Sequence, residues 1–166
     1  MTQPTTAAHP ATRWLDTDEQ RAWRAYLRGT RMLEEALDRD LQTHGLQLSE
    51  YEIISMLSET PGGRLRMSEL ADIVVQSRSR LTHTATRLEK RGWVVRQPCE
   101  SDRRGVELVL TDTRRDVVAD AASAHVASVR RHLVDLMTPA EFAALGVAMD
   151  KVVTAAPATD RCSEIA

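Results

Sequence analysis

Between Ser77 and Arg104 the chain concentrates side chains that hold polyanions. Arg78, Arg80, Arg87, Lys90, Arg91, Arg96, Arg103 and Arg104 face only the carboxylates of Glu89, Glu100 and Asp102, a surplus of about five positive charges in a chain whose net charge is −2. Guanidinium and ammonium groups bind phosphate oxygens, and guanidinium also pairs with base edges. Ser77, Ser79, Thr82, His83 and Thr86 are interleaved with these cations and add short donors that allow close approach. Their spacing is as informative as their chemistry. At about 100° per residue, Ser79, His83, Thr86 and Lys90 fall on one helix face, flanked by Thr82 and Arg87. Leu81, Ala85 and Leu88, with Thr84 beside them, fall on the other. A basic surface on an otherwise acidic body is the electrostatic footprint of a nucleic-acid-binding face.

Such a helix needs a body to present it. The chain has 166 residues, 18.5 kDa and 42% hydrophobic content, enough for one domain with a core. The small, polar ends, MTQPTTAAHPAT and APATDRCSEIA, cannot bury much apolar surface. They are read as a disordered tail over 1–13 and a flexible one over 156–166, around a single domain over 14–155. Apolar residues at three- and four-residue steps predict a first helix from about Asp16 to Thr43, stopped by Gly45. Ser49 with Glu52, and Leu48 with Ile53, predict a capped and stapled second helix to about Glu59. Pro61-Gly62-Gly63 turns the chain, an extended piece passes Leu65, and Ser68 is expected to cap a brief helix, SELADIVV. The polar-faced helix then runs from Ser77 or Ser79 to about Arg91, and Gly92 ends it.

WVVRQ and VELVLT predict the two strands of a β-hairpin, joined by PCESDRRG. Thr111 is expected to cap a helix reaching about Met137. Thr138, Pro139 and Glu141 form a complete start for a last one, to about Val153. The fold class is therefore mainly α with a small β-hairpin wing: a winged helix-turn-helix flanked by N- and C-terminal helices. An α-helix fits the roughly 12 Å major groove of B-DNA, and a neighbouring hairpin can reach the minor groove.

Other chemistries find little support. No phosphate-binding glycine loop, nucleophile elbow or metal motif is present, so no enzyme activity, cofactor or metal is expected. His125 and His132 lie about 10 Å apart along one helix, and His9, His44 and His83 lack ligand spacing. Cys99 and Cys162 are too few for a disulfide framework, and Cys99 reads as an ordinary exposed thiol beside the wing. No run approaches the ~20 apolar residues of a membrane span, nor does the start resemble a secretion signal, so a cytoplasmic location is expected.

From about Trp23 to Val118 the sequence resembles the MarR regulators of multiple antibiotic resistance and aromatic catabolism. The likeness is densest in SRSRLTHTATRLEKRGWVVRQPCESDRRGVELVLTD: recognition helix, RLEKRG turn, arginine-ended wing strand, Asp-Arg-Arg tip and closing leucine-threonine. Arg114 departs from it, standing where relatives commonly have glycine. The resemblance implies a DNA-binding lobe over about 47–111 and dimerisation helices over about 14–44 and 111–155. It implies a homodimer on double-stranded DNA with a palindromic operator, acting as a repressor released by a small aromatic or phenolic effector. Asp102 would hold the wing, Arg104 would enter the minor groove and Arg103 would lie near phosphates. Trp23, Tyr26, Arg31 and Tyr51, with Trp14, are the candidate effector contacts. A redox-responsive regulator and a winged-helix module that docks proteins without binding DNA are the alternative readings.

Overall fold

A computed structural model of the chain describes residues 12–99, 105–111 and 115–156. The chain divides into two units, Met1–Met32 and Leu33–Ala166. Helix α1 (Thr17–Gln42) begins in the first and ends in the second. Its start is held by Asp16, whose carboxylate accepts from the backbone N–H groups of Asp18 and Glu19, both at 2.8 Å. This satisfies donors that have no partner inside the helix.

In the second unit the buried Leu41 and Leu46 straddle the turn at Gly45, whose φ of +71° is glycine's territory. Helix α2 (Leu48–Glu59) follows. Its start differs from the Ser49 cap expected above. Gln47 occupies the cap position and its N–H donates to Glu50 at 3.0 Å, while Glu52 accepts from Gln76, 24 residues away. A 3-10 turn (Pro61–Gly63) leads into strand β1 (Arg64–Arg66), and helix α3 (Met67–Ile73) starts directly from it. Arg66, not Ser68, is therefore the residue at the α3 cap. The chain leaves α3 through Val75, which carries a φ of +50°, an uncommon place for a β-branched residue.

Helix α4 (Arg78–Lys90) is capped by Ser77, whose hydroxyl accepts from the Arg80 N–H at 3.3 Å. Strands β2 (Val94–Pro98) and β3 (Val106–Leu110) form the hairpin. The extended piece at Leu65 turns out to be a third strand: β1 pairs antiparallel with β3, opposing Leu65 to Leu108, in the order β1-β3-β2. The start of α5 expected at Thr111 falls on residues outside those described. The Thr111 hydroxyl donates back to the carbonyls of Gly92 and Trp93, at 2.9 and 3.1 Å, and closes the base of the hairpin. Asp112 and Arg114 lie outside the described residues.

Helix α5 (Arg115–His132) ends earlier than periodicity predicts and passes through a 3-10 turn (Val134–Leu136). Helix α6 (Pro139–Ala155) begins as expected. Thr138 accepts from the Glu141 N–H at 3.3 Å, and its own N–H donates to the Glu141 carboxylate at 2.8 Å. One core joins α2, α3, α4 and the hairpin: Ile53, Ile54 and Leu57 from α2, Leu70 from α3, Leu81, Ala85 and Leu88 from α4, and Val94 and Leu108 from the hairpin are buried together. The C-terminal end of α1 is tied to α5 through Asp40, which accepts from Ser128 at 2.5 Å and lies 3.2 Å from His132 Nε2. Among the described residues no helix is long and apolar enough to cross a membrane.

Candidate nucleic-acid interface

Burial on α4 follows the periodicity of its sequence. Leu81, Thr84, Ala85 and Leu88 are buried, and desolvating this stripe fixes which side faces out. Ser77, Arg78, Ser79, Arg80, Thr82, His83 and Lys90 are exposed, and Thr86 and Arg87 are half-buried beside them. The hydroxyls of Thr82 and Thr86 donate to the carbonyls four residues earlier, each at 2.8 Å. Their protons are thereby engaged; the exposed Thr82 keeps acceptor lone pairs and a methyl group for a partner, whereas Thr86 Oγ1 also accepts from Arg96 at 3.0 Å. The Ser77 and Ser79 hydroxyls lie 3.3 Å apart at the start of the helix. A cleft of about 340 Å³ adjoins this start, lined by Arg66, Ser68, Arg78, Thr82 and Val106 among others.

Arg87, Arg91 and Arg96 of the basic segment are engaged within the protein. Arg87 was read as a DNA contact, yet its Nη2 lies 2.9 Å from the carboxylate of Glu50, its Nε donates to that group at 3.2 Å, and it also reaches the Gln47 side chain. Arg91 pairs with the other Glu50 oxygen at 3.3 Å and stacks over the Trp93 ring at 4.2 Å. Glu50 itself is buried, and a carboxylate withdrawn from water needs such partners. On the opposite flank Arg96 of β2 donates to Glu89, to the Thr82 carbonyl and to the Thr86 hydroxyl. The engagements with Glu50 were not visible in local spacing, because Glu50 precedes Arg87 by 37 residues.

The wing residues Asp102, Arg103 and Arg104 lie outside the described residues. The strands that carry their loop are joined at its base, where the Cys99 N–H donates to the Gly105 carbonyl at 2.9 Å. Cys99 is not the exposed thiol expected: it is buried, and Sγ donates to Glu107 at 3.3 Å. The hairpin draws it inward, away from solvent oxidants.

The candidate effector contacts fall in both units. Trp23 and Tyr26 are exposed on α1, with rings stacked at 5.9 Å, and Arg31 is exposed on the same helix; all three belong to the first unit. Trp14 is also exposed. Tyr51 belongs to the second unit and is buried in its core, its ring 4.4 Å from that of His125. α2 turns the phenol ring toward α5. Among the described residues the buried Nδ1 of His125 has no hydrogen-bond partner, and burial holds its imidazole below the ordinary pKa. Among the described residues no group of three or more His, Cys, Asp or Glu could hold a metal ion.

A short helix, a turn, an outward-facing basic helix and a β-hairpin together define a winged helix-turn-helix protein. The family model described as the MarR family matches residues 44–105. The structure of AbsC, a MarR family transcriptional regulator from Streptomyces coelicolor, shares 46% identity over 86% of this chain and 97% of its own, with a TM-score of 0.81. Sco3205, a MarR family transcriptional regulator of the same organism solved in complex with DNA, shares 40% identity over 92% of this chain and 96% of its own, with a TM-score of 0.86. The transcriptional regulator PecS of Dickeya dadantii is 28% identical over 65% of this chain and 63% of its own length, so the chain covers less than two thirds of that relative. The chain belongs to the MarR family, whose members here are transcriptional regulators rather than enzymes.

Proposed function

We propose that the protein is a sequence-specific DNA-binding transcriptional regulator that acts as a homodimer on a palindromic operator. The observation that carries this reading is the outward face of α4, where Arg78, Ser79, Arg80, Thr82, His83 and Lys90 are exposed together opposite a buried apolar stripe. That face has the width and chemistry to enter a major groove. The 40% identical Sco3205 forms a complex with DNA. Residues 47–111 form the DNA-binding lobe, with the wing tip of Asp102, Arg103 and Arg104 reaching the adjacent minor groove, where negative potential is concentrated.

The flanking helices, 14–44 and 111–155, pair two copies so that two recognition helices meet two half-sites. Exposed apolar side chains support this: Phe142, Val147, Val152 and Val153 on α6, and separately Trp23 and Tyr26 on α1. A dimer seated over a promoter excludes polymerase, so repression in the cytoplasm is the simplest outcome. The effector class is a small aromatic or phenolic acid, for which the exposed Trp23–Tyr26 stack and Arg31, exposed on the same helix, supply ring faces and a cation.

Fluorescence anisotropy with DNA from upstream of the protein's own gene tests the main reading. Binding should weaken steeply with salt, and Lys90→Ala should lower the slope of log K against log salt by about 0.9. Absence of salt-dependent binding, or a monomer by sedimentation at micromolar concentration, would overturn it. Salicylate should quench tryptophan fluorescence, and Arg31→Ala should abolish that response; no quenching would remove the effector assignment.

A further inference from the structure

The recognition helix and the wing must enter adjacent grooves of one duplex, so their mutual angle is part of the binding site. Arg96 joins them. From strand β2 its backbone N–H donates to Glu89 Oε1 at 3.2 Å, and its Nη1 donates to Glu89 Oε2 at 2.5 Å. Its Nη2 donates to the Thr82 carbonyl at 2.9 Å and to the Thr86 hydroxyl at 3.0 Å. One guanidinium therefore spans two turns of α4, and it grips the side of the helix next to the exposed DNA face. Its side chain is three-quarters buried, so its planar fork is largely withdrawn from any phosphate.

We infer that Arg96, acting through Glu89, is a positioning residue for DNA binding: it locks the recognition helix to the wing in the arrangement that fits two adjacent grooves. This rests on the proposed DNA-binding function. Without the clamp, helix and wing would sample several angles, and apparent affinity falls in proportion to the population of the fitting one. If that population drops to about one tenth, binding weakens about tenfold, with no phosphate contact removed.

Two substitutions separate this role from plain electrostatics and from loss of folding. Arg96→Met keeps the buried stem and removes the donors; Glu89→Met removes the acceptor and a negative charge beside the DNA-facing surface. Charge alone predicts that Glu89→Met binds DNA more tightly; positioning predicts weaker binding in both variants. Affinity is read by anisotropy over a salt series on operator DNA, with circular dichroism melting to confirm folding. The expected result is about a tenfold loss in each, salt slopes equal to wild type, and a double variant no worse than the weaker single one. A slope lowered by about 0.9 in Arg96→Met would make Arg96 a phosphate contact and overturn the positioning role. Tighter binding by folded Glu89→Met, or unchanged affinity in folded Arg96→Met, would overturn it as well. Failure of the wild-type protein to bind any upstream DNA would instead sink the proposed function, and this inference with it.

Discussion

Glu50→Gln tests the claim that α4 is held to α2 by a buried ionic knot rather than by apolar packing alone. The native carboxylate accepts from Arg87 at 2.9 and 3.2 Å, from Arg91 at 3.3 Å and from the Gln47 N–H at 3.0 Å. Glutamine preserves the volume but replaces one acceptor oxygen by an NH2 that points at other donors. Charge-assisted hydrogen bonds contribute about 1.5–3 kcal/mol each. Arg87 and Arg91 remain about a third exposed and regain water when released, which holds the total to the lower half of that range. The expected cost is about 2 kcal/mol, or a fall of about 4–8 °C in melting temperature for a chain of this size. Urea unfolding followed by circular dichroism at neutral pH measures it. Arg87→Met should be destabilising as well, should couple non-additively with Glu50→Gln, and should leave the salt slope of DNA binding unchanged. A Glu50→Gln protein within about 0.5 kcal/mol of wild type would refute the assignment and return Arg87 to the set of candidate DNA contacts.

Three further outcomes are expected. Val75→Gly should raise stability by about 0.5–1 kcal/mol, because relief of left-handed strain at φ +50° outweighs glycine's greater freedom when unfolded, and an exposed valine loses little by removal; a lower unfolding midpoint in urea would contradict this. Thr138→Ala removes the cap of α6 and should cost about 1 kcal/mol, seen as a fall of about 2–4 °C in a thermal scan. Because burial depresses the His125 pKa below 6.5, the unfolded chain binds more protons than the folded one in the window just below 6.5. Stability should therefore fall as pH descends through 6.5 and level off below the folded pKa. His125→Phe, which keeps a ring against Tyr51, should flatten that decline in urea titrations between pH 7 and about 5; an unaltered pH profile would discard His125 as its source.

Much of this architecture was legible because it depends on short-range patterns. The stripe of Leu81, Ala85 and Leu88 sets which side of α4 is buried through the helical period alone. Thr138 and Glu141 bound the start of α6 through contacts three residues apart, and Gly45 and Gly92 mark turns because their backbones take positive φ. Arg87, Arg91 and Arg96, by contrast, look in sequence like more of the basic face, and only the folded chain ties them to Glu50 and Glu89. The start of α2 shows the same limit at shorter range: Ser49 and Glu52 have the local chemistry of a cap, but Glu52 is drawn to Gln76 and Gln47 takes the cap position.

What sequence by itself determined was direction: which helices and hairpin strands form, in what order, and which side of the basic helix meets water. What tertiary structure decided was allocation. A buried carboxylate attracts whichever cation the chain path brings within a few ångströms, and that path joins positions 37 and 41 residues apart. Hydrophobic period is a local property of the chain, whereas the pairing of charges depends on distance in space, and distance exists only after folding.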